Sequence, residues 1–236
     1  GAGCAGYSAA LARRRAARGD KTIAEARAEL DERIRIGRSI NNREKVKAAF
    51  AGKLCIGSHD DTTEAHVIEA KATGATLAEM PTSLIAARKA KELGLDVCMG
   101  APNYLRGGSH CGNLSAVEAV NEGLVDALCS DYHFPSLLGA VVKMMAAGSP
   151  VAQAVAYVTI NPARILGVAG GSLSPGTLAD VTILAPDLHV RIDASRLRSR
   201  SKNTPFDGWQ LRGGVAATLV GGRPLFINAE APIAFE

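Results

Sequence analysis

What constrains this chain most is a rhythm between residues 54 and 146, where short apolar runs alternate with helical patterns and a glycine closes most of the helices. Strands are expected at 54–57, 75–79, 95–99 and 125–129, helices at 63–73, 83–93, 114–122 and 135–146, with a loop over 100–113 and turn glycines at 74, 94 and 123. Parallel strands need crossover connections of helix length, so the repeated alternation predicts a parallel sheet covered by helices, an α/β fold. Ahead of it, Ile23, Ala26, Leu30 and Ile34 recur at helical spacing over 22–36, and Asn42 can cap a second helix over 43–51. Residues 1–19 are rich in Ala, Gly and Arg and show no such pattern.

After Pro150 the spacing is helical again over 151–157 and around Asn161-Pro162, where the fixed φ of proline suits a first helical turn. Beyond Gly170 the period changes. Ala179–Leu184, the region of Val190, Val215–Val220 and Pro224–Ile227 read as short strands, the last two joined by the Gly221-Gly222 turn of a hairpin. The expected organisation is therefore a main α/β domain over 1–170 and a small β domain over 171–236.

Composition limits the function classes. With 47% hydrophobic and 21% charged residues in 236, the chain can bury a sizeable core. A formal charge of +4 is too small to make nucleic acid a default partner, and the arginines at 13–15 and 196–200 read as solvated faces. No apolar run approaches the roughly 18–20 residues needed to cross a bilayer, and no signal peptide opens the chain. No membrane partner and a cytoplasmic location are expected. The five cysteines include no Cys-x-x-Cys pair. Cys55, Cys98 and Cys129 fall in expected strands and act as small hydrophobes, Cys4 sits in a loose terminus, and Cys111 is a plain residue of a glycine-rich loop.

Two strand ends carry candidate chemistry. His59 leaves the first expected strand within Ser58-His59-Asp60-Asp61-Thr62-Thr63, and Asp131 follows the last, ahead of Tyr132-His133. The open face of a (β/α) barrel places ligands and catalytic groups at such positions, because the strand holds the side chain rigidly. A histidine and an aspartate at neighbouring strand ends can share a divalent cation such as zinc or manganese. The loop from Arg106 to Asn113 has a different logic. Gly107 and Gly108 expose backbone N–H groups, Arg106 offers a planar fork for phosphate oxygens, and Ser109, His110 and Asn113 add donors. His66 reads as a surface residue, and His189 has no evident role.

Taken in order, Ser58–Thr63, Ala78-Glu-Met-Pro-Thr82, Met99-Gly-Ala-Pro-Asn103, Arg106–Asn113 and Ser130-Asp131-Tyr132 resemble the amidohydrolase superfamily, and within it the diphosphatases of phosphonate metabolism. The likeness runs from about 22 to about 185; Asn161-Pro-Ala and Gly176-Thr-Leu-Ala-Asp-Val181 are shared more widely in the superfamily. The tail is different. Ser199–Gly208, Leu211-Arg-Gly-Gly-Val and Thr218–Arg223 are similar to the ends of dihydroorotases.

The resemblance implies that His59 lies on the sixth barrel strand and Asp131 on the eighth. Asp131 would then bind one metal and accept the proton of the attacking water, while His59 holds a second metal. It implies a phosphorylated small-molecule substrate, a ribose 1-methylphosphonate 5-triphosphate losing diphosphate, with Asn103 and the Arg106–Asn113 loop in substrate binding. Cys111 stands where the family has Ser. The superfamily's His-x-His pair of the first strand occurs nowhere in the chain. A full barrel takes roughly 250 residues, so the expectation is the C-terminal part of a (β/α)8 TIM-like barrel, about strands 6 to 8, plus a small β domain. An open barrel edge invites homo-oligomers or pairing with another chain. A cyclic-amide hydrolase and an inactive binding subunit are the rival expectations.

Overall fold

The computed structural model describes residues 21–39 and 42–231, with positions 12, 13, 16, 17 and 19. Cys4 and the side chains of Ile34 and Asn42 lie outside the described residues. In chain order come helices α1 (Ile23–Ser39) and α2 (Asn42–Phe50), then strand β1 (Gly57–His59), α3 (Glu64–Ala72), β2 (Leu77–Glu79), α4 (Leu84–Glu92) and β3 (Asp96–Gly100). Next are α5 (Ala101–Arg106), α6 (Ala116–Asn121), β4 (Ala127–Cys129), α7 (Ser136–Ala146), α8 (Val151–Ala156) and α9 (Ile160–Leu166). Strands β5 (Val181–Arg191), β6 (Gln210–Val220) and β7 (Arg223–Ile227) complete the chain. Contacts divide it into two compact units, one of residues up to Met99 with Arg106–Val125, the other of Gly100–Leu105 with the residues from Asp126 onward.

In the first unit, α1 opens with a reciprocal cap. The Thr22 N–H donates to Glu25 Oε2 at 2.7 Å while the Glu25 N–H donates to Thr22 Oγ1 at 3.2 Å. Strands β1, β2 and β3 are parallel, with Ser58 opposite Ala78 and Ala78 opposite Val97. The expected turn glycines end their helices by one device. After α4, Gly94 takes φ +69°, its N–H donates to the Lys91 carbonyl, and the next N–H, of Leu95, reaches back to the Ala90 carbonyl. The same pair of bonds recurs after α3 at Gly74 and after α6 at Gly123. The core between is rich in small side chains, with Val67, Ala78, Ala86, Ala87, Ala90 and Val97 fully buried and Leu95 and Met99 its larger members.

The structure corrects three details of the sequence pattern. The first strand is Gly57–His59, not 54–57, because Lys53 and Leu54 still bond to the Phe50 carbonyl at the exit of α2. As the end strand of its sheet it is largely exposed, and Cys55 precedes it half-buried. The 100–113 segment is not all loop, since Ala101–Arg106 form α5. Pro102 sits within its first turn, where a missing N–H costs nothing, and Tyr104 and Leu105 are buried. Lys143 of α7 donates to the carbonyls of Tyr104 and Leu105 at 3.0 and 2.9 Å, closing the helix.

In the second unit, β5, β6 and β7 form an antiparallel sheet. The residues of the Val190 region and of 181–184 belong to one strand, β5, which starts two residues later than the expected Ala179 and bulges between Ala185 and His189. Pro186 lies in that bulge, where its lack of an N–H disturbs no ladder bond. The Gly221-Gly222 hairpin forms as expected, with φ +54° and +77°. Helix α7 packs against β6 closely enough that a Cβ on Gly213 would lie 2.3 Å from Val142 Cγ2. Leu105, Ile192 and Phe206 form a core cluster against which Leu211 packs. Among the described residues no helix is long and apolar enough to cross a membrane.

Candidate active site

The β1 and β2 strands of the first unit end in matching loops. His59 and Glu79 are partners in the register, and each is followed by a non-glycine residue with positive φ, Asp60 at +59° and Met80 at +52°. Such backbone costs of order 1–3 kcal/mol per residue and persists where its surroundings hold it. The holding bonds are visible. The Asp60 N–H donates to the Glu79 carbonyl at 3.1 Å, the Met80 N–H to the Cys98 carbonyl at 2.8 Å, and the Thr82 N–H to the Asp61 carbonyl at 2.8 Å. Thr62 and Thr82 join through their hydroxyls at 2.8 Å. Thr63 and Ser83 then cap α3 and α4 with their side-chain oxygens.

Within this frame the His59 imidazole lies with Nδ1 3.1 Å from Glu79 Oε2, and with Nε2 3.6 Å from Asp60 Oδ2. Asp61 is buried and accepts the Ser58 hydroxyl at 2.5 Å, so its carboxylate serves the loop. His66 is exposed as expected, and its Nδ1 accepts the Thr62 N–H at 3.3 Å.

The Arg106–Asn113 loop belongs to the same unit. Arg106 bends over its own loop, donating from Nε and Nη2 to the Gly108 carbonyl at 3.2 and 3.1 Å. A phosphate oxygen would compete with, or add to, that bond. Gly107 has φ +91°; Gly108, Ser109 and Asn113 are half-buried, and His110 and Cys111 are exposed. Ser109 Oγ accepts the Cys111 N–H at 3.2 Å.

Asn103 and Asp131 fall in the second unit, Asn103 half-buried on α5 and Asp131 exposed two residues past β4. Asp131 is the third non-glycine residue with positive φ, at +47°. The His133 ring beside it is buried against Phe206, with centroids 4.5 Å apart, and neither ring nitrogen has a hydrogen-bond partner. Burial pushes the His133 imidazole below its ordinary pKa. His189 is exposed on β5.

Comparison with known proteins now gives these strand ends a context. The family model described as "Amidohydrolase family" matches residues 20–225. The chain belongs to the amidohydrolase family. It is 42% identical over 158 residues to the alpha-D-ribose 1-methylphosphonate 5-triphosphate diphosphatase of Escherichia coli, covering 64% of this chain and 42% of that protein. It is 49% identical over 83 residues to a dihydroorotase of Pelotomaculum thermopropionicum, covering 34% of this chain and 19% of the relative. Among solved structures it is similar to the L-hydantoinase (dihydropyrimidinase) from Arthrobacter aurescens, with TM-score 0.56 and 17% identity, over 81% of this chain and 55% of that one. That likeness concerns the fold alone. The chain thus spans well under two thirds of the length of the relatives it matches.

Amidohydrolases typically use divalent metals. His59 fits such an ion: a carboxylate at Nδ1 is the usual outer partner of a metal-binding imidazole, and Nε2 has no bond shorter than 3.6 Å to a carboxylate. Among the described residues no group of three His, Cys, Asp or Glu side chains could hold a metal ion, so the His59–Glu79 pair is not by itself a coordination set. Glu79, within the Ala78–Thr82 motif, has no role that the sequence pattern alone would assign. The signal available was the 20-residue offset from His59, with an N-cap hydroxyl four positions after each.

Proposed function

We propose that this chain carries later strands of a (β/α)8 barrel, β1 to β4, and the small β domain of a metal-dependent hydrolase of phosphonate metabolism. Its substrate in this reading is a ribose 1-methylphosphonate 5-triphosphate, hydrolysed with release of diphosphate. One observation carries the substrate: the match to the diphosphatase extends over 158 residues, nearly twice the 83 matched to the dihydroorotase.

The roles are assigned residue by residue. His59 offers Nε2 to a zinc or manganese ion. A bound divalent ion supplies Lewis acidity that brings water's ionisation toward neutral pH. Asp131 binds metal and its carboxylate takes the proton of the water that attacks phosphorus, while the phosphorus–oxygen bond to diphosphate breaks. The backbone of Gly107 and Gly108, with Arg106, Ser109, His110 and Asn113, receives phosphoryl oxygens, and Asn103 contributes to substrate binding. Self-association, or association through the open barrel edge, is part of the same proposal.

The test is to load the protein with zinc or manganese and offer the 5-triphosphate and, in parallel, dihydroorotate. Diphosphate release from the first alone is the expected result, and Asp131→Asn should slow it by about 10²–10⁴-fold, the range for loss of a general base. Ring opening of dihydroorotate alone would establish the second reading, a cyclic-amide hydrolase, which the 49% identity to a dihydroorotase favours. Failure to retain stoichiometric divalent metal, with neither reaction, would leave an inactive fragment or binding subunit.

A further inference from the structure

We propose that Glu79 is the positioning residue of His59, fixing its imidazole as the Nδ1–H tautomer and so leaving Nε2 unprotonated. The inference rests on the reading of His59 as a metal ligand, and it concerns a residue for which that reading has no use.

On parallel strands, partners in the register present their side chains on the same face, and His59 and Glu79 are such partners. Their polar atoms meet at 3.1 Å, close enough for an Nδ1–H to donate to the carboxylate. The pair is then locked by backbone. The Glu79 carbonyl accepts the Asp60 N–H at 3.1 Å, so the residue after His59 is tied to the residue that orients it. Met80 is tied in turn to Cys98, and both Asp60 and Met80 are held in left-handed backbone, which Asp tolerates and Met rarely adopts.

The simplest competing account is an ordinary surface ion pair. The two side chains are 52% and 40% exposed, and exposed pairs contribute little to stability. A pair of that kind has no need of two strained residues and three cross-strand tethers. A pair whose task is direction does, because a ligand's lone pair must be aimed before an ion arrives.

Nitrogen-15 NMR of the imidazole rings in the whole chain, in buffer alkaline enough to keep them neutral, reads the tautomer directly, with the His59 signals identified by their loss in His59→Ala. The expected result is an Nδ1–H tautomer in the parent chain, retained in Glu79→Gln, whose amide oxygen still accepts, and lost in Glu79→Ala. Zinc affinity, measured by competition with a chromophoric chelator, should fall about 10–100-fold in Glu79→Ala and less in Glu79→Gln. An Nε2–H tautomer in the parent, or one that is unchanged in Glu79→Ala, overturns the proposal. Zinc affinity indifferent to His59→Ala would instead overturn the reading of His59 as a ligand, whatever the tautomer does. Unchanged far-ultraviolet circular dichroism in both Glu79 variants separates these outcomes from misfolding.

Discussion

The two units of this chain are held together in opposite ways. In the first, the buried positions of α3 to β3 are mostly alanine and valine, and specificity is carried by polar loops: hydroxyl caps, strained strand exits and the His59–Glu79 pair. In the second, Phe206 is fully buried and touches three rings, His133 at 4.5 Å, Trp209 edge-on at 5.0 Å and Tyr132 at 6.5 Å. Small side chains let backbones approach and leave strand ends rigid; large ones fill a space that a β-sheet and its loops leave open. The difference teaches where each unit is vulnerable. The first should suffer from added volume, the second from removed volume.

The largest effect expected is therefore from Phe206→Ala, at about 3–5 kcal/mol, since a fully buried aromatic leaves both lost transfer energy and a cavity. Trp209, the one tryptophan of the chain, sits against that ring, so its fluorescence in a denaturant titration reports the loss. A midpoint within error of the parent's would show that the ring cluster is decoration. The opposite change belongs to the first unit. Ala87→Leu, on the buried face of α4, should cost about 1–3 kcal/mol by overpacking, read from thermal unfolding by circular dichroism. If Ala87→Leu stabilised the chain, the alanine core would be loose and the contrast between the units would fail.

How much of this was legible in the sequence follows from the range of the forces involved. The alternation of β1 to α7 and the glycine exits at 74, 94 and 123 depend on residues near one another in the chain, and periodicity captured them. Their boundaries moved where capping decided, as at Leu54, which belongs to the exit of α2 rather than to a strand. Helix α5 was hidden because Pro102, Asn103, Gly107 and Gly108 look like loop residues, while the groups that stabilise it, buried Tyr104 and Leu105 and the Lys143 cap, act through packing. At the site, His59 announced itself by its place after an apolar run. Glu79 did not, because its meaning lies in a register that only the paired strands display. The burial of His133 was invisible for the same reason, since Phe206 reaches it from far along the chain.

His133 also gives the next prediction. Both ring nitrogens are buried without partners, and such a group costs about 1–3 kcal/mol relative to an apolar one of similar shape. His133→Phe keeps a ring against Phe206 and removes the polar atoms, so it should raise the unfolding midpoint by a fraction of that amount. A clear loss of stability would mean that the imidazole makes a bond in solution, and the second unit would no longer be the purely apolar partner in the comparison.

The smallest effect tests the polar side of the contrast. The Glu25 carboxylate accepts the Thr22 N–H, and that bond, ahead of the Thr22 hydroxyl, holds its pKa below the ordinary carboxylate range. A carboxyl lowered in the folded state contributes stability that is fully present above its unfolded value of about 4.3 and is lost as pH falls through the folded one. Protection of the Thr22 amide, its exchange rate taken relative to the intrinsic rate at each pH, should therefore be constant at neutral pH and fall only in acid, below the unfolded value. Glu25→Gln, which can close the same cap without a charge, should exchange at a rate with no such acid step. An acid step that survives in Glu25→Gln would assign it to another group and remove the cap from the set of polar devices that organise the first unit.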